Sequence, residues 1–308
     1  MGIIAAGGWQ NDRASKDVYA YAISKFKWFP LCPLPSPRYG HAIVSCDGFI
    51  YAIGGRNEST KLCKTVLRFD PTENRWQHMS PLPVDAASIG ACIFQGQLYV
   101  VGGLTAWGSS DLALRYSARN NIWQRVSNVK IARGALSLVS DDKCIYAIGG
   151  IKKSGASVNA VWEHLDTMEI YHRETNKWEL GSALLSPRAH SAAVHINGRI
   201  YLIGGQSELL GIRKGMDVYD TMTKEWSSIP YLGVPRCMSG ICVSENTFFV
   251  IGGTTREGDC VNTAESYDTS KNRWQKIPSL PHAVGSLNCC SIQLRLAVLQ
   301  GMTTSLSE

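Results

Sequence analysis

Residues 41–79 read HAIVSCDGFIYAIGGRNESTKLCKTVLRFDPTENRWQHM. Four short apolar runs stand in this stretch: HAIVS, FIYAIGG, TVLRFD and NRWQHM. Turn formers such as Cys46-Asp47-Gly48 and Pro71-Thr72-Glu73-Asn74 separate them. Runs this short, rich in β-branched and aromatic residues, predict four strands, named A to D in chain order. Gly54-Gly55 ends strand B, Phe69 stands on strand C, and Trp76 follows Phe69 by seven residues on strand D.

The same marks return along the whole chain. Double glycines stand at Gly7, Gly54, Gly102, Gly149, Gly204 and Gly252, at steps of 47, 48, 47, 55 and 48 residues. A tryptophan follows each pair, giving the spans Gly7–Trp28, Gly54–Trp76, Gly102–Trp123, Gly149–Trp178, Gly204–Trp226 and Gly252–Trp274. Seven residues before each tryptophan lies Tyr21, Phe69, Tyr116, Tyr171, Tyr219 or Tyr267. Marks kept in phase six times predict an all-β fold of six repeated four-stranded sheets. Radial repetition of such sheets leaves only short, protected edges, as in a β-propeller.

Composition agrees with that class and narrows the function. The chain has 308 residues, 29 of them glycine, with 18% charged residues and a net charge of +6. No Lys/Arg run exceeds two residues, which argues against nucleic acid as a partner. No stretch approaches eighteen apolar residues and the first residues do not resemble a signal peptide, so neither a membrane nor secretion is expected. The ten cysteines include no CxxC pair and no zinc spacing. They read as reduced thiols of a cytoplasmic protein, with the nucleus as the alternative location.

The double glycine, the strand C aromatic and the spaced tryptophan resemble the kelch repeat, and the resemblance spans essentially the whole chain. It implies a six-bladed kelch propeller over residues 1–303, with 304–308 as a tail. It also implies ring closure: the C-terminal run 287–294 supplies the innermost strand of the first blade. The place of residues 295–301 stays open, because residues 2–8 already claim that strand position. The propeller itself is expected to be monomeric. Departures from the pattern are Ile4 in place of the strand B aromatic, Ser117 and His172 after the strand C aromatic, and a fourth period longer by about eight residues.

Catalysis is not expected. GxSxG, P-loop, GxGxxG and HExxH motifs are absent, and the seven histidines fall at unmatched repeat positions, so neither a metal nor a cofactor is implied. Binding has better support. In kelch propellers the D–A and B–C loops emerge on one face. On this chain those loops carry fifteen Lys/Arg against seven Asp/Glu, which predicts an acidic partner segment. Arg38, Arg133, Arg188 and Arg236 recur sixteen residues before the double glycine, with Ala86 and Val284 breaking the series. The resemblance turns them toward the mouth of the central channel; the alternative is that they bond loop carbonyls.

The position after Gly-Gly carries ligand contacts in kelch receptors and here includes Trp9, Arg56 and Gln206, with Asn57 next to Arg56. Trp107 and Trp162, like Trp9, are not repeat tryptophans and fall in B–C loops, as does Arg256. These residues form the expected partner-binding set. The resemblance further implies the substrate-recognition part of a cullin-RING ubiquitin-ligase adaptor, its cullin scaffold held through BTB and BACK domains that this chain does not contain. A start in mid-blade fits a piece of such a protein. An actin-binding or cytoskeletal scaffold is the alternative, and a kelch-fold enzyme the second.

Overall fold

The repeats build six four-stranded antiparallel sheets, each in the order A-B-C-D. The computed structural model describes residues 1–154, 161–229 and 233–293. The tip of the long fourth-period loop, and residues 295–301 with the 304–308 tail, therefore lie outside the described residues. In the second blade the strands are Ala42–Cys46, Phe49–Ile53, Val66–Asp70 and Arg75–Met79. The register puts Val44 opposite Tyr51, Ala52 opposite Leu67 and Phe69 opposite Trp76. Strand B is almost wholly buried, because both of its faces meet neighbouring blades and it is flanked by strands A and C. A continuous apolar run such as IYAI is what such a position requires.

The innermost strands of the six blades neighbour one another in a closed ring. The first blade is assembled from both ends of the chain. Its innermost strand is Asn288–Ile292, which pairs with Gly2–Ala6 in the register Ile4 to Cys290. Val18–Ala22 and Lys27–Pro30 complete that sheet.

The cores lie between blades. Ile4, Ala20, Ile43, Ile50 and Leu67 form the cluster joining the first and second blades. The repeat tryptophans finish these contacts with a hydrogen bond to the preceding blade. Trp76 Nε1 donates to the Cys32 carbonyl at 3.0 Å, Trp123 to Ser80 at 2.9 Å and Trp178 to Ser127 at 2.7 Å. Trp28 donates to Pro278 at 2.8 Å, which joins the first blade to the sixth. An asparagine two residues before the tryptophan adds a second tie: Asn121 accepts from Ser80 N at 2.8 Å and Asn176 from Ser127 N at 3.0 Å.

The double glycine follows from crowding at the end of strand B. Gly149 has φ +59, and a Cβ there would stand 2.5 Å from the Arg188 carbonyl oxygen. Gly150, at φ +102, would clash with the Gly134 carbonyl at 2.6 Å. Only glycine meets both demands.

Candidate functional loop face

The residue after each double glycine pairs, backbone to backbone, with a residue of the D–A loop. Arg56 pairs with Tyr39, Leu104 with Ala87, Ile151 with Gly134, Gln206 with Ala189, Thr254 with Cys237 and Trp9 with Gly285. These six bridges bring the B–C and D–A loops to one face, as the resemblance implies.

The channel mouth opens in the middle of this face. The next residue along each D–A loop is Gly40, Ser88, Ala135, His190, Met238 or Ser286, and all six have φ between 49° and 58°. Their amides run head to tail around the mouth: Ser88 N donates to Gly40 O at 2.7 Å, Ala135 to Ser88 at 2.8 Å, His190 to Ala135 at 2.9 Å and Met238 to His190 at 3.0 Å. Five non-glycine residues hold this left-handed conformation because each bonds across to the neighbouring blade. The cavity enclosed is about 290 Å³, lined by the starts of the inner strands and by Arg56.

The four repeat arginines do not line this cavity. Arg133 is 0% exposed; its Nη1 donates to the Gly149 carbonyl at 2.9 Å and its Nη2 to Glu169 Oε1 at 2.7 Å. Arg236 repeats the arrangement with the Gly252 carbonyl at 3.1 Å and Glu265 at 2.8 Å, and Arg188 pairs with Asp217. Arg38 donates to the Gly54 carbonyl at 3.3 Å and to Ser36 Oγ at 3.2 Å, and Leu67 holds the place where the other three arginine-bearing blades carry an acid. Burial lowers the proton affinity of Arg38, Arg133 and Arg188, offset at the latter two by Glu169 and Asp217.

The geometry is thus that of the alternative reading, an arginine bonded to loop carbonyls. It also changes the charge of the face: with these four sealed in the wall, eleven loop cations stand against seven acids. The acids that hold the arginines were not singled out from sequence. Their signal is Glu169, Asp217 and Glu265 two residues before Tyr171, Tyr219 and Tyr267, where Leu114 and Tyr19 stand in the two blades without the arginine.

The remaining predicted residues divide into two groups. Trp9 is half-buried and packs edge-on to Tyr39 with ring centroids 4.8 Å apart. Arg56 bonds its own loop at the Thr60 carbonyl, 2.8 Å away, and Asn57 Oδ1 accepts from Lys61 N at 3.0 Å. Gln206 accepts a contact from Cys237 Sγ at 3.7 Å, and Arg256 is exposed on the sixth-blade loop. Trp107 and Trp162 meet on one structure, a second, small sheet raised above the third and fourth blades. Its strands are Leu104–Thr105, Gly108–Ser109, Ile151–Ser154 and Val161–His164. Ser109 splices the two hairpins, donating to the Ile151 carbonyl and accepting from Lys153 N, both at 2.9 Å. Trp107 sits in its turn, 83% exposed, and Lys153 Nζ lies 5.0 Å from the Trp162 ring centroid.

Exposed apolar side chains gather around this sheet. Among the described residues, Val84, Trp107, Val161, Trp162, Leu185, Leu209, Leu210 and Val234 are large, apolar, exposed and on the loop face. Six of them belong to the loops of blades three to five up to Leu210, so the apolar surface is a crescent to one side of the channel. Apolar surface grouped in this way marks a docking site. No group of three or more His, Cys, Asp or Glu side chains suited to a metal occurs among the described residues, and no helix there is long and apolar enough to cross a membrane.

Comparison with known proteins agrees with the repeat. The family described as KLHDC2/KLHL20/DRC7 Kelch-repeats domain matches residues 2–205 and 90–299. The chain is 29% identical over 196 residues to Kelch-like protein 40 of Xenopus laevis, covering 64% of this chain and 23% of that protein. It is 36% identical over 98 residues to Kelch-like protein 13 of Homo sapiens, covering 30% and 15%. Beta-scruin of Limulus polyphemus is 28% identical over 203 residues, covering 64% and 22%. The chain spans less than a quarter of the length of these curated relatives.

Proposed function

This chain belongs to the Kelch-repeats domain family, and we propose that it is a non-catalytic protein-binding domain whose loop face captures a partner protein. The observation that carries this is the apolar crescent of Trp107, Trp162, Val161 and Leu209, beside a channel mouth ringed by backbone hydrogen bonds. Large aromatic and aliphatic side chains held on a rigid scaffold are what anchors an interface. The surrounding loop cations, eleven against seven acids, favour a partner segment carrying Asp or Glu and speed its approach.

The finer reading is the substrate-recognition part of a cullin-RING ubiquitin-ligase adaptor, in the cytoplasm. It rests on the resemblance to BTB-BACK-kelch proteins, and the Kelch-like proteins among the relatives support it. The test is proximity labelling with the whole protein that carries this chain, with and without inhibition of cullin activation. Labelled partners should accumulate under inhibition. Unchanged partner levels, together with co-sedimentation of the protein with filamentous actin, would replace this reading by the cytoskeletal one.

A further inference from the structure

The raised sheet has one closed edge and one open edge. Leu104–Thr105 is closed, because Leu104 N donates to Ala87 O at 2.7 Å and Ala87 N to Leu104 O at 3.0 Å. Val161–His164 ends the sheet on the side of the fifth blade. Which of its backbone groups face outward follows from the register. Leu165 N donates to Gly150 O at 2.9 Å, so 165 and 150 are a hydrogen-bonded pair. Alternation in an antiparallel ladder then turns Val161 and Glu163 inward to Ser154 and Lys152. Trp162 and His164 point their N–H and C=O groups away from the sheet, and no partner meets them among the described residues.

Natural edges of this kind are blunted by proline, by an inward charge or by a covering loop. This edge has one charge, Glu163, and leaves Val161 71% exposed, and the fifth-blade loop leaves Leu209 91% exposed. The two loops belong to adjacent blades, and Glu208 opposes the lowering that burial imposes on the proton affinity of His164. The two loops carry Lys152, Lys153, Arg213 and Lys214 against Glu163 and Glu208, with Lys152 Nζ 4.0 Å from Glu163. An unpaired main-chain edge, exposed apolar side chains on both loops and a surplus of cations together describe the complement of an extended acidic peptide.

We propose that the outer edge of Val161–His164 receives an extended, acidic peptide segment of the partner protein as an added strand, its alternate apolar side chains lying between Val161 and Leu209. This rests on the loop-face reading above and makes it specific: recognition runs through backbone hydrogen bonds at the fourth and fifth blades, off the channel axis.

Random peptides displayed on phage and selected against the whole chain supply the probe. Enriched peptides should alternate apolar residues beside Asp or Glu. The Trp162 and His164 amides, fast-exchanging in the free chain, should become protected by NMR when such a peptide binds. N-methylation of every second peptide bond should weaken binding about tenfold, with the intervening bonds tolerant. The variant Val161→Asp/Leu209→Asp, both positions being exposed, should lose binding at an unchanged melting temperature. Peptides that need Trp107 or Leu209 but leave those two amides exchanging, with no alternation on methylation, would overturn strand addition and leave loop-face capture standing. Selection of no peptide dependent on the loop face would overturn both. Self-association of the chain with the same amides protected would assign the edge to a second copy and overturn the peptide.

Discussion

Arg133 Nη2 lies 2.7 Å from Glu169 Oε1 with both side chains sealed from solvent, so the charge most prominent in the repeat is spent inside the wall of the propeller. Glu169 also accepts from Lys130 N at 2.6 Å and Ile131 N at 3.0 Å, and thereby fixes the D–A loop that carries Arg133. Arg133 and Arg236 each tie their D–A loop to the end of strand B and to strand C of the same blade.

Removing one member of this pair should be far worse than removing Arg38. Arg133→Met leaves Glu169 buried without its cation, at a cost of about 3–5 kcal/mol. Arg38→Met strands no carboxylate, because Leu67 occupies that place, and should be close to neutral. Arg133→Met/Glu169→Leu should recover much of the loss. Urea unfolding of the three variants decides this, and equal losses for Arg133→Met and Arg38→Met would contradict the assignment.

Ring closure depends on a strand from the far end of the chain. Truncation after Ser286 removes Asn288–Ile292 and bares the edge of Gly2–Ala6. The truncated chain should melt well below the intact one and aggregate, as seen by light scattering. Unchanged melting and monodispersity would show that the ring holds without this strand.

The two kinds of tryptophan should separate cleanly. Trp123→Ala removes an indole packed on Tyr116 at 4.8 Å and its bond to Ser80, and should cost about 3–5 kcal/mol. Trp107→Ala removes an exposed side chain and should change stability by less than about 0.5 kcal/mol. Denaturant midpoints measured in parallel check the contrast.

Acid should weaken the propeller before its carboxylates titrate. Burial, with Arg38 beside it, holds His41 to about 3, and burial with His164 nearby holds His190 to about 4. An unfolded histidine titrates near 6.5, so between pH 6.5 and 4 the unfolded chain binds protons that the folded chain refuses. Stability therefore falls as pH falls through that window, by up to about 1.4 kcal/mol per pH unit for each histidine, and is unaffected above it. Urea midpoints at pH 7 and pH 5 should differ less in His190→Asn than in the unchanged chain.

The fold was legible because its marks are consequences of packing. Gly149-Gly150 stands where side chains cannot fit, Trp178 bridges two sheets, and Tyr171 packs on it, so sequence periodicity and geometry are one observation. The site was legible only in part. Trp107 and Trp162 stood out as tryptophans outside the repeat, yet their meeting on one raised sheet depends on Ser109 bonding two loops that lie 42 residues apart. Arg133 looked available because its spacing says where its backbone sits; the acid that claims it is on another strand, 36 residues on. The channel mouth left no signal, since Gly40, Ser88, Ala135, His190, Met238 and Ser286 share a backbone conformation and no side-chain chemistry.

The most direct test of loop-face capture is quantitative affinity purification with two variants of matched stability. One is Trp107→Ala/Leu209→Asp on the loop face; the other is Phe26→Ala/Met222→Asp, at equally exposed apolar positions in turns joining strands C and D at the opposite end. Partners bound by the unchanged chain should be lost from the first variant and kept by the second. Retention of those partners by the first variant, or their loss from the second, would contradict the account.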